Sequence, residues 1–165
     1  VLWLMRGGNM AWQAAQPDWA VYLALILITS PLQAAAEEFF FRGYLQQAIG
    51  SLAGRSWVGV ACSALVFAIF HGDQNVALFT HRLGFGLIAG TLVWATGGLE
   101  AAIAVHVANN VFAFGYALFT GGVATLKATS AISWEAACSD LASFAVFGAL
   151  AWWIGRRMHV ATLTP

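Results

Sequence analysis

Glu37-Glu38-Phe39-Phe40-Phe41-Arg42 sets two carboxylates and a guanidinium into an otherwise apolar stretch of a 165-residue chain that has only seven acidic and seven basic side chains in all. On a helix Glu38 and Arg42 stand at i,i+4 and can pair directly. Glu37 is rotated about 100° away and has Phe41, not Arg42, four residues on. The spacing therefore expects Glu38 to be a buried structural partner of Arg42 and leaves Glu37 facing whatever cavity exists. The plainer alternative is that both carboxylates share Arg42 and only hold helices together. Two further polar sets follow. His71 closes the run Phe67-Ala68-Ile69-Phe70-His71 just before Gly72, and Phe67 and His71 share a helix face. His106 and Asn110 are a second i,i+4 pair, with Asn109 about 100° off their face.

A histidine at a helix end commonly satisfies carbonyls, and one His/Asn pair can be interhelical hydrogen bonding. Three polar sets on three apolar segments point to chemistry. A carboxylate beside a histidine can hold and deprotonate a water, and a second histidine with Asn110 can donate hydrogen bonds to the oxyanion of a tetrahedral intermediate. The same groups, Glu37, His71 and His106, could instead bind a divalent metal, with Zn²⁺ the natural candidate. Either arrangement is hydrolytic. Other machinery is missing by its residues: no His-Glu-x-x-His, no Gly-x-Ser-Gly and no Gly-x-Gly-Asp occurs. Cys62 and Cys138 lie in apolar runs and imply no disulfide framework.

The elements that must position these groups read as membrane helices. The composition is 61% hydrophobic and 8% charged, against roughly 25% charged in a soluble domain, so water is not the main solvent for this surface. Zero net charge offers no basic face for nucleic acid. Apolar runs cover Trp19–Ala36 continuing into Phe39–Ile49, then Trp57–Phe70, Val76–Thr96, Leu99–Phe119 and Ala137–Ile154. They lack the period-two alternation of a β-barrel. The expectation is an all-α polytopic bundle of about five helices, forming one membrane-embedded domain over residues 1–165. Val1 in place of Met, and the apolar Val1–Met5, point to further helices upstream. Arg55, Arg156 and Arg157 fall on one side if every segment crosses, which makes the C-terminus cytoplasmic. Arg6 and Lys127 fall on the other. Most tryptophans flank the runs as interface anchors, and Gly86 and Gly90 form a small-xxx-small pair for close helix packing.

Glu37-Glu38-x-x-x-Arg42, Phe67-x-x-x-His71 and His106-x-x-x-Asn110 resemble the three motifs of the CAAX protease and bacteriocin-processing (CPBP, or Abi) membrane proteases. Thr96-Gly97-Gly98-Leu99 also looks like that family's approach to its third motif. The resemblance covers roughly residues 34–115. It implies an endopeptidase with its site in a cavity within the cell membrane, acting on a peptide or membrane-protein substrate. By motif position Glu37 is implied to be the water-activating base with His71 beside it, His106 and Asn110 the oxyanion site, and Glu38 and Arg42, with Phe67, the support. The resemblance leaves metal use open. Two other readings compete: a binding or immunity protein that keeps the motif residues without cutting, and a transporter with a Glu/His proton relay. The transporter reading is weakened by the lack of an internal repeat.

One geometric tension accompanies this reading. In a straight helix from Trp19, Glu37 lies roughly 27 Å along, whereas His71 ends a segment expected to run to the opposite face. The two meet only if Trp57–Phe70 stops short of crossing, or if the helices tilt strongly. His81-Arg82 either line the same cavity or lie in a loop.

Overall fold

A computed structural model describes residues 18–120 and 123–159. Every regular element among them is helical: α1 (Trp19–Glu38), a π-helical segment (Phe39–Leu45), α2 (Gln46–Ala53), α3 (Ser56–Ile69), α4 (Val76–Thr96), α5 (Glu100–Thr120), α6 (Val123–Lys127) and α7 (Trp134–Arg157). Val1–Met5, Arg6, Trp12 and the Gly121-Gly122 turn lie outside the described residues. Sequence punctuation sets the ends. Asn75 and Ser133 cap α4 and α7 by accepting from Leu78 N and Ala136 N. Gly54 and Gly97 close α2 and α4 at φ 63° and 74°, values that disfavour any residue with a Cβ.

The polarity of the bundle is inverted relative to a water-soluble protein. Among the described residues Arg42, Glu38 and Ser63 are the largest fully buried side chains, while Leu52 is 89% and Leu32 67% exposed. Such a surface suits hydrocarbon. Trp19–Ala53, Val76–Thr96, Glu100–Phe119 and Trp134–Arg157 are long and apolar enough to cross a membrane. The chain is a multi-pass membrane protein.

The fifth apolar segment behaves differently. α3 has 14 residues, about 21 Å at 1.5 Å each, against a hydrocarbon core of about 30 Å. It turns back at Gly54-Arg55 and retraces only the second half of the 35-residue α1–π–α2 rod. A Cβ on Gly59 would collide with the Gln46 carbonyl. Ser63 Oγ donates to the Phe41 carbonyl at 2.6 Å, and the Phe67 ring meets Phe41 at 5.2 Å. α3 therefore ends level with the π segment. The expected crossing of Trp57–Phe70 gives way to a partial one, and this is what lets His71 and Glu37 share a level.

Neighbouring pairs fix the helix directions. Gly86 lies against Ala64, where an added Cβ would sit 2.9 Å from that residue, and Gly90 lies against Val60. Glu38 meets His106 and Trp19 meets Phe119. Gly84 meets Leu141, and Gly148 meets Ile88. So α1–α2, α4 and α7 run one way, and α3 and α5 the other. Arg55 and Arg156-Arg157 share the end opposite Lys127. A core of Phe41, Phe67, Phe85, Val105 and Phe144 fills the centre around the polar residues.

Candidate active site

The site forms where α1 becomes π-helical. In that segment the Phe41 carbonyl accepts from Gln46 N, five residues on, as well as from Ser63 Oγ. π turns of this kind are frequent at functional sites because they re-aim side chains. Arg42, with no exposed surface, donates from Nη1 to Glu38 Oε1 at 2.9 Å. Its guanidinium carbon lies 4.6 Å from the centre of the Phe67 ring, 5.6 Å from Phe85 and 5.9 Å from Phe41. Three aromatic faces thus share the cation with the carboxylate.

Glu38 Oε1 also accepts a second bond, from His106 Nδ1 at 2.7 Å across α1 and α5. That bond fixes the imidazole: Nδ1 carries a proton toward Glu38, and Nε2 points out of the cluster. Nε2 lies 3.7 Å from Glu37 Oε2. Glu38 is wholly buried, whereas the Glu37 side chain is 26% exposed, at the mouth of the cluster. Gln33 Nε2 donates to the other Glu37 oxygen at 2.9 Å and orients the carboxylate. The separation between Glu37 and His106 exceeds a hydrogen bond, and a water bonded to both would sit beside the line that joins them.

His71 sits just past the end of α3, with its ring 4.6 Å from Phe67 and its Nδ1–H donated to the Phe67 carbonyl at 2.7 Å. Its Nε2 is thereby left as an acceptor in the neutral form. Partial burial pushes the imidazole below its ordinary value; the Phe67 carbonyl opposes this, and the Arg82 charge adds to it. The charge of Glu37 and that of His106 also reach the ring. Asn110 stands one turn beyond His106 on α5, its Oδ1 accepting from Asn109 Nδ2 at 3.2 Å. Hydrogen bonds thus join Glu38, Arg42 and His106, and Glu37 stands 3.7 Å from the imidazole. His71 joins them through the Phe67 ring, which is 6.1 Å from His106, and Asn110 joins by helical register.

Several participants escape the motif spacing. Gln33 is visible as an i,i+4 partner of Glu37. Phe85, 5.0 Å from the His106 ring, and Ser63 carry no sequence signal beyond lying in apolar helices. His81 and Arg82 belong to α4. Arg82 Nη1 donates to Gln74 Oε1 at 2.7 Å and to the His71 carbonyl at 3.4 Å, so it braces the His71 loop.

A metal held by Glu37, His71 and His106 does not fit this arrangement. No three metal-ligating side chains converge among the described residues.

A buried carboxylate–imidazole–guanidinium cluster with a second carboxylate at its mouth, enclosed by lipid-facing helices, makes this a membrane protein with a polar site built into its bundle. Comparison with known proteins matches residues 18–112 to the type II CAAX prenyl endopeptidase Rce1-like family. The chain belongs to that family. It is also 34% identical over 100 residues to the uncharacterized protein YyaK of Bacillus subtilis (strain 168), a match that covers 57% of this chain and 33% of the relative. The match thus spans about a third of that relative's length. No solved structure matches the chain.

Proposed function

We propose that this chain forms the catalytic core of an intramembrane endopeptidase that uses a glutamate-activated water to cut a membrane-associated, apolar or lipidated peptide. The observation that carries the reading is the 3.7 Å gap between Glu37 Oε2 and His106 Nε2, with Glu38 bonded behind His106. A water seated beside this pair is within reach of a carboxylate that can accept its proton. Gln33 holds the carboxylate in place. The water oxygen attacks the peptide carbonyl carbon, and its proton passes to Glu37. The resulting oxyanion receives hydrogen bonds from His106 Nε2–H and the Asn110 amide. In that role His106 is protonated on both nitrogens, one proton given to Glu38 and the other to the oxyanion. The C–N bond then breaks, and the departing nitrogen takes the proton from Glu37. His71, whose neutral ring has an acceptor Nε2 and feels the Glu37 charge, receives the second proton of the water when the product acid ionises. No step requires a metal.

The test compares peptide termini in membrane and secreted proteins of the native host expressing the wild type or Glu37→Gln. New termini with the wild type that vanish with the variant are expected. Identical termini, with the variant folded and equally abundant, would favour a binding or immunity protein that retains the motif residues.

A further inference from the structure

Outside the cluster lies a cavity of about 540 Å³ between α5 and α7, closed by the segment from Leu126 to Ile132. That volume lies within the range of ligand sites. Its walls are mostly apolar, including Phe112, Phe144 and Phe147, and they carry one charge, Asp140. No Lys or Arg pairs with Asp140 among the described residues. Its nearest basic neighbour is His81, with Nε2 to Oδ2 at 3.6 Å, beyond a hydrogen bond. Both His81 ring nitrogens are buried without a hydrogen-bond partner. A ring so placed is a weak partner, and it leaves the carboxylate, 28% exposed, directed to the cavity. Asp140 is six residues into α7, about 9 Å from the helix start at 1.5 Å per residue. A lysine on an apolar chain reaches that depth by extending its stem along hydrocarbon.

The cavity adjoins the site. Asn109 lines it and donates to Asn110. Phe144 lines it and packs on Phe85, which touches His106. A carboxylate in a mostly apolar enclosure, with only an imidazole beyond hydrogen-bond distance beside it, is costly unless a cation meets it.

We infer that this cavity is a substrate subsite that selects a basic side chain flanked by apolar residues, with Asp140 as the specificity-determining group. The inference takes from the proposed protease activity only that the ligand is a peptide, because binding can be read without cleavage. The probes are a synthetic apolar peptide carrying one lysine and the same peptide with norleucine in its place, titrated onto the Glu37→Gln protein in nanodiscs. A charge-assisted hydrogen bond in apolar surroundings predicts about tenfold tighter binding of the lysine peptide. Adding Asp140→Asn should bring the ratio to about one without weakening the norleucine peptide, and Asp140→Glu should keep the preference. Equal binding of the two peptides, or a preference that survives Asp140→Asn, overturns the inference. If the Asn variant binds neither peptide it has lost its fold, and the ratio in the parent protein decides. Digestion of both peptides by the wild type separates the two claims. Cleavage without lysine preference sinks the subsite alone, and preference without cleavage sinks the protease reading alone.

Discussion

Glu37 and Glu38 are neighbours in sequence with different physical fates. Glu38 is sealed in and accepts from both Arg42 and His106, so its removal leaves two cationic or donor groups buried without their acceptor. Glu38→Leu is expected to destabilise the protein by about 3–5 kcal/mol, read as a fall in thermal unfolding temperature in detergent. A shift of less than a degree would mean the cluster is not structural. Gln33 acts only through Glu37. Gln33→Leu should slow cleavage roughly tenfold, the loss of about 1.4 kcal/mol in orienting the carboxylate, with an unchanged unfolding temperature; an unaltered rate would remove Gln33 from the account. His71 gives a pH signature. Its folded-state pKa lies below the imidazole's ordinary value of about 6.5, so in that window the native state binds fewer protons than the unfolded one. Stability contributed by His71 is complete above the unfolded value and is lost as pH falls through the lowered one. Activity that needs neutral His71 should fall over the same acid range, and a profile flat to well below that range would contradict its role as a proton acceptor.

Among the elements, close backbone approach does the positioning. Gly86 on α4 abuts Ala64 on α3, and Gly59 abuts α2. Gly86→Leu should cost about 1–3 kcal/mol through overpacking. Gly155→Ala, with open space around it, should be neutral or stabilising by up to about 1 kcal/mol. Comparable losses at both positions, in the same unfolding assay, would refute the packing argument. Run length and glycine punctuation make α1, α4, α5 and α7 legible in the sequence, because a membrane span is mostly a matter of apolar length. The i,i+4 rule likewise exposes Glu38–Arg42. Two features are not legible. The carbonyl at the centre of the π segment, that of Phe41, is met by Ser63 of α3, a long-range contact, and Phe-Phe-Phe-Arg-Gly-Tyr-Leu carries no local mark of the π turn. The Glu38–His106 bond joins residues 68 apart and exists only once α1 and α5 pack antiparallel. The family resemblance sets His71 beside Glu37, while the imidazole that stands 3.7 Å from the Glu37 carboxylate is that of His106.

At the scale of the whole molecule, four spans and the returning α3 carry the polar cluster to a level that the motif positions share. With Cys62 and Cys138 replaced, single cysteines at Arg55 and Arg157 should label from one side of sealed vesicles and one at Lys127 from the other; labelling of Arg55 and Arg157 from opposite sides would overturn the helix directions. The central claim is that Glu37 is needed for water attack and not for the fold. The most direct measurement is the cleavage rate of purified wild type and Glu37→Gln in nanodiscs, on a peptide spanning a junction found in the host. Each protein's unfolding temperature is recorded beside its rate. The account predicts a rate lower by about 10²–10⁴ with an unfolding temperature within about two degrees. A variant that still cuts within tenfold of wild type, or one that loses activity only by unfolding, would contradict it.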